Sequence, residues 1–126
     1  MKYVISISSN FDSEKRIEEA KKMIEKTFLN VRFSREEITE PMGEGYPRER
    51  KFRNCAALFE SVLDLDSLKE CLRDEEIRAG RTQELRKQKV VPLDLDIIMV
   101  GDRIVHKDYE RFGFLRKMIA ELKPIF

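Results

Sequence analysis

The sequence predicts an α+β domain, and three observations carry the prediction. Short runs rich in branched side chains alternate with segments whose apolar residues recur at helical spacing. Four such strands and two helices fall in the order β-α-β-β-α-β, with one more helix after them. The 126 residues suit one compact unit able to bury a core of its own, so residues 1–126 are read as a single domain.

Each element has its own justification. Tyr3 to Ser8, YVISIS, alternates like a strand, and the SNFD that follows turns out of it. Ser13 is the expected N-cap of the first helix, with Ile17, Ala20, Ile24 and Phe28 as its apolar stripe. Val31 to Ser34 is a short second strand. Thr39 to Lys51, TEPMGEGYPRERK, is rich in proline, glycine and charge and reads as a long loop, the kind of segment that carries function.

Phe52 to Leu63 is the third strand, apolar on both faces between Cys55 and Phe59 and therefore central in its sheet. Ser67 with Glu70 fits a capping box, and Leu68, Leu72 and Ile77 carry the second helix to Gly80. Arg81 to Lys89, RTQELRKQK, is a polar loop or a helix extension. Leu93 to Val100 is the fourth strand. Tyr109 to Leu122 is the last helix, with Leu115, Met118, Ile119 and Leu122 facing inward. The expected fold is a ferredoxin-like β-α-β-β-α-β sandwich with an antiparallel sheet and an additional C-terminal helix.

Composition narrows the function. Charged residues make up 39% of the chain, but 25 basic stand against 24 acidic, so no general attraction to nucleic acid or to a membrane surface is expected. No apolar run approaches ~18 residues, and no leader or spanning helix is expected. Cys55 and Cys71 lack neighbouring ligands at metal spacing and read as buried thiols of a cytoplasmic protein. A monomer is the expected state.

One stretch departs from this pattern. LDLDIIMVG, residues 93–101, reads as a buried strand interrupted by Asp94 and Asp96. Residues i and i+2 of a strand share a face, about 6.5–7 Å apart, so the two acids lie together while Leu93, Leu95 and Ile97 face the other way. Two close carboxylates repel unless a cation lies between them, and a hard divalent cation with phosphate oxygens meets that need. A solvated acidic face on an edge strand is the other reading, and three residues alone do not separate the two. Arg78, Arg81, Arg86, Lys87 and Lys89 precede the strand and add donors suited to phosphate. Neither a G-x-x-x-x-G-K-[ST] loop nor a G-x-G-x-x-G loop is present. Asn54, inside an apolar strand, is a second polar residue that needs partners, from a flat heterocycle or from a neighbouring strand.

Taken together these segments resemble the 6-hydroxymethyl-7,8-dihydropterin pyrophosphokinase family, from Tyr3 to about Leu122. Ile5 to Asn10 is similar to the family's opening strand, Thr39 to Gly43 to its first loop, and Phe52-Arg53-Asn54-Cys55-Ala56 to its aromatic-x-Asn-x-Ala segment. Glu76, Gly80 and Arg81 match a Glu-x-x-x-Gly-Arg spacing, Leu93 to Ile97 the core signature, and His106 to Phe114 the His-to-Phe interval. The resemblance implies transfer of a diphosphate from ATP to a pterin alcohol, giving AMP, in folate biosynthesis. Asp94 and Asp96 would be ligands of two Mg²⁺ ions and, with Arg81, the catalytic group. Thr39, Met42, Phe52, Asn54 and Phe114 would hold the dihydropterin, and Glu76, Arg81, Ile97 and His106 the nucleotide.

The chain also departs from the family pattern. Lys89-Val90-Val91 stands where Gly-Pro-Arg is usual, so Val91 replaces a phosphate-binding arginine. Gln83 replaces a second arginine, Gln88 an aromatic and Ser8 a glycine, and Phe112 fills an arginine position whose nearest arginine is Arg111. A relative that binds pterin or nucleotide without turnover is therefore the alternative reading.

Overall fold

Branched and aromatic side chains at every second position build the central strands, and small or polar residues between them shape one face. In the computed structural model of the chain, which describes residues 1–41, 45–47 and 49–122, β1 (Lys2–Ser9) lies antiparallel between β4 (Phe52–Glu60) and β5 (Asp94–Val100). β2 (Leu29–Phe33) and β3 (Glu37–Thr39) share the outer edge of β4, and β6 (Arg103–Ile104) pairs with β5. The order β2-β4-β1-β5-β6 is the expected ferredoxin-like antiparallel sheet, with the anticipated C-terminal helix. Among the described residues, no helix is long and apolar enough to cross a membrane.

The two faces differ. On the first, Tyr3, Ile5, Ile7, Cys55, Ala57, Phe59, Leu95 and Ile97 pack against Ile17, Ala20 and Ile24 of α1 (Ser13–Thr27) and Leu68 and Leu72 of α2 (Leu65–Arg78). Each large side chain fully buried there contributes about 1.5–3 kcal/mol. On the second, Val4, Ala56 and Ile98 meet Leu115, Met118, Ile119 and Leu122 of α5 (Gly113–Leu122). That cover stops where the sheet turns polar, at Ser6, Ser8, Asn54, Asp94 and Asp96.

Several local expectations shift. Asp12, with φ 51°, precedes α1 and Ser13 is its first helical residue, where its Oγ accepts from Arg53 Nε at 3.4 Å rather than capping the helix. Asp64, not Ser67, caps α2, accepting from Ser67 N at 2.8 Å. Ile77, expected inward, is 60% exposed, because the helix leans on the sheet through Leu68 and Leu72. The basic segment contains a short helix, α3 (Gln83–Lys87), capped by Thr82. The last helix is two: α4 (Asp108–Arg111) ends at Phe112, which is extended, and Arg116 Nη1 donates to the carbonyls of Tyr109 and Glu110 across the break. Cys55 is buried and Cys71 half-buried, both free, with burial pushing the two thiols up.

Asn10 fixes the approach to the acid strand. Its Nδ2 donates to Lys89 O at 2.9 Å and its Oδ1 accepts from Val91 N at 2.6 Å, while its own N donates to Val91 O at 3.0 Å. Lys89 adopts φ 60°, the left-handed turn that brings the chain back to Asn10. Asn10→Ala strands the buried Val91 N–H. We expect it to lower stability by about 1–3 kcal/mol, read as a lower urea midpoint with an unchanged slope. An unchanged midpoint would remove this clamp from the account.

Candidate active site

β5 begins at the acid pair, and its register sets both carboxylates on the polar face. Asp94 lies opposite Ser8 and Asp96 opposite Ser6, and Ser8 lies opposite Asn54 on the other side of β1. Small hydroxyls between the acids and the amide leave room above the strands.

Glu76 at the end of α2 ties this strand to the helix. Its Oε2 accepts from Leu95 N at 2.7 Å and from Arg81 Nη1 at 2.9 Å, and the same Nη1 donates to Asp94 Oδ1 at 2.9 Å. Burial pushes the Glu76 carboxyl up even with those donors in place. The Arg81 guanidinium is held charged by Asp94 and Glu76 against its own burial.

Among the described residues Asp96 has no such arginine or lysine partner. His106 Nε2 lies 3.8 Å from its Oδ1, beyond hydrogen-bond reach. Burial, with Asp94, Asp108 and Glu76 close by, pushes its carboxyl up to about 8. His106 Nδ1 accepts from the Asp108 backbone N–H at 3.1 Å, so a neutral ring carries its proton on Nε2, toward Asp96. Asp108 Oδ1 in turn meets Arg111 Nη1 at 3.5 Å. Asp96, His106 and Asp108 bring donor atoms within 4.8 Å of one another. This crowding of oxygen donors fits a hard divalent cation, with the carboxylates as the ligands of choice and imidazole the softer one.

Two clefts open from the acid pair. One, about 210 Å³, lies over the polar half of the sheet, with Ser6, Ser8 and Asn54 on its floor. Tyr46 and Phe52, ring centroids 5.6 Å apart, stand on one side, and Phe112 and Phe114, stacked at 5.5 Å and 18°, on the other. Asn54 is fully engaged as an amide donor: Nδ2 reaches Glu37 O at 3.2 Å and Thr39 Oγ1 at 2.9 Å, while Oδ1 accepts from Ser8 Oγ at 2.8 Å. The other cleft, about 810 Å³, runs between α2, α3 and the end of β6, lined by Glu76, Ile77, Arg81, Ile97, Val105 and His106 among others. Asp94 and Asp96 line both.

The family model for 7,8-dihydro-6-hydroxymethylpterin-pyrophosphokinase (HPPK) matches residues 4–124. The chain belongs to the HPPK family. Comparison with curated proteins finds no match. The HPPK family is one of pterin pyrophosphokinases of folate biosynthesis, ATP-dependent diphosphotransferases that generally use Mg²⁺ and bind ATP and a pterin.

Of the residues expected at an HPPK site, Thr39, Phe52, Asn54 and Phe114 line the smaller cleft, and Glu76, Arg81, Ile97 and His106 the larger. Met42 lies outside the described residues. Val91, in the place of the missing arginine, is 8% exposed. Sequence reasoning missed Tyr46, Phe112 and Asp108. The His-x-Asp spacing of His106 and Asp108 was the available signal for the last, but a two-residue spacing has no force until the hairpin of β5 and β6 turns it toward Asp96.

The raised Asp96 carboxyl carries a signed prediction. A native state that keeps a proton which the unfolded chain releases near pH 4 loses stability as pH rises from about 4 to about 8. In Mg²⁺-free protein Asp96→Asn removes that penalty. At pH 8 we expect the variant to be more stable than wild type by about 1–3 kcal/mol, at the low end because the Asp96 side chain is 30% exposed. Added Mg²⁺ should raise the wild-type melting temperature at pH 8 and leave that of the variant nearly unchanged. A variant less stable than wild type at pH 8 would contradict the electrostatic picture.

Proposed function

We propose that the chain transfers a diphosphate from ATP to the hydroxymethyl group of 6-hydroxymethyl-7,8-dihydropterin, releasing AMP. One observation carries the reading: an aromatic-walled cleft and a larger, cation-bearing cleft meet at Asp94 and Asp96. A reaction that joins two small molecules needs its acceptor and donor sites to open onto one electrostatic centre, and this arrangement supplies it.

The flat pterin belongs in the smaller cleft, between Phe52 and Phe114 and above the Ser6 and Ser8 floor. Asn54 is pre-set by Ser8 and Thr39, so its Oδ1 keeps a second lone pair for a ring N–H, and the Thr39 hydroxyl, already accepting from Asn54, keeps its proton to donate. The triphosphate belongs in the larger cleft. Arg81 uses one nitrogen, Nη1, for Glu76, Asp94 and the Leu93 carbonyl, leaving Nε and Nη2 as donors for phosphate oxygens. His106 Nε2–H adds another.

Asp94 and Asp96 would hold two Mg²⁺ ions, which when bound neutralise phosphate charge and polarise the phosphorus. The pterin hydroxymethyl oxygen attacks the β-phosphorus in line. The O–P bond forms as the bridge between β- and α-phosphorus breaks, AMP leaves with the electron pair, and the hydroxyl proton passes to solvent or a nearby carboxylate. No covalent enzyme intermediate is required. The chain is read as a cytoplasmic monomer.

Val91 favours a second reading, a relative that binds without turnover, because a buried valine replaces a phosphate-binding arginine. One assay separates the two. Incubated with ATP, Mg²⁺ and the dihydropterin, the protein should form AMP, and Asp94→Ala and Asp96→Ala should each lower the rate at least about a hundredfold, the order expected when a metal ligand is lost. Tight pterin binding without AMP would favour the second reading, and near-normal turnover in either variant would sink the metal assignment.

A further inference from the structure

We propose that Lys69 and Arg73 of α2, with Arg86 of α3, form the cationic wall that holds the nucleotide triphosphate, compensating for the arginine absent at Val91. The inference rests on the nucleotide reading of the larger cleft, which all three residues line.

Charge accounting in that cleft points to these side chains. Glu76 and Asp94, both at 2.9 Å, already balance the charge of Arg81, which keeps nitrogens to donate but brings no surplus charge. Val91 is apolar and buried. Lys69, Arg73 and Arg86 are exposed along the cleft and form no ion pair among the described residues. Arg78, outside the cleft lining, does pair, with Glu75 at 3.3 Å. The charge of Lys69, Arg73 and Arg86 is therefore unmatched beside the cleft, where a polyanion would meet it.

The packing of α2 fixes where the backbones of Lys69 and Arg73 lie along the cleft. Lys69 and Arg73 are four residues apart, so they share one stripe, and each follows a leucine, Leu68 or Leu72, that pins α2 to the sheet. The same stripe continues to Glu76, which binds Leu95 N–H and Arg81 beside Asp94. A chain of phosphates extending from the acid pair along α2 would therefore run beside Arg73 and Lys69 in turn, with Arg86 across the cleft. A helix-borne wall needs no loop to close before it can bind. Arginine at position 73 offers a forked donor to phosphate oxygens, and lysine at position 69 a point charge.

The test compares ligands that differ in phosphate alone. Wild type and the double variant Lys69→Ala/Arg73→Ala are titrated with α,β-methylene-ATP plus Mg²⁺, with adenosine and with the pterin. The double variant should lose affinity for the triphosphate by about 10- to 100-fold, with a shallower salt dependence, while adenosine and pterin affinities stay as in wild type. Arg73→Lys should recover part of what Arg73→Ala loses. An unchanged triphosphate affinity, or an equal loss for adenosine and triphosphate, would overturn the inference. A wild type that binds pterin but no triphosphate would overturn the nucleotide reading with it, and a wild type that forms AMP with an unaltered double variant would overturn this inference alone.

Discussion

Glu76 accepts two hydrogen bonds that have little to do with each other chemically, one from the Leu95 backbone and one from Arg81. Between them they join the end of α2 to the start of β5 and hold a guanidinium against Asp94. Buried carboxylates are costly without such donors, and a buried carboxylate with them becomes a joint that is hard to move. The joint sets how far the acid strand projects, what faces Asp94, and therefore which acid is left in need of a cation. Asp96 is that acid. The cleft on one side and the sheet face on the other inherit their electrostatics from this arrangement.

The second constraint is the change of character along one sheet face. Val4, Ala56 and Ile98 require a cover, and α5 provides it. One step further along the same strands Ser6, Ser8, Asn54 and Asp96 do not, and the helix is interrupted at Phe112 before it would lie over them. The extended Phe112 turns its ring onto Phe114, so the break that ends the cover also builds a wall of the cleft. Stability and site formation meet in a single local choice of backbone.

Much of this was legible in residue patterns because period and burial agree. β1, β4 and β5 alternate or run apolar as central strands do, α1 carries an unambiguous stripe, and Asp94 and Asp96 stand out because a period of two puts both on one face. What escaped notice was set by tertiary contact. β3 is three residues long and exists because β4 has an open edge beside Asn54. β6 is two residues, formed by a turn at Gly101 with φ 59°. Ser13 and Ser67 looked like caps, but Asp64 takes that role for α2, and Asp12 precedes α1 in a left-handed turn without a side-chain cap. Asn54 shows how a correct residue can be read too simply: its amide is satisfied by Ser8, Thr39 and Glu37, so it presents an ordered edge rather than an orphaned group. The family resemblance, carried by the same acids, agrees with the match over residues 4–124.

The central claim is that acceptor and donor occupy different clefts at once and meet at Asp94 and Asp96. Calorimetric titration of 6-hydroxymethylpterin into protein already saturated with Mg²⁺ and α,β-methylene-ATP tests it directly. One equivalent of pterin should bind to the saturated protein without releasing nucleotide. Competition between the two ligands, with pterin displacing the nucleotide or failing to bind beside it, would contradict the account.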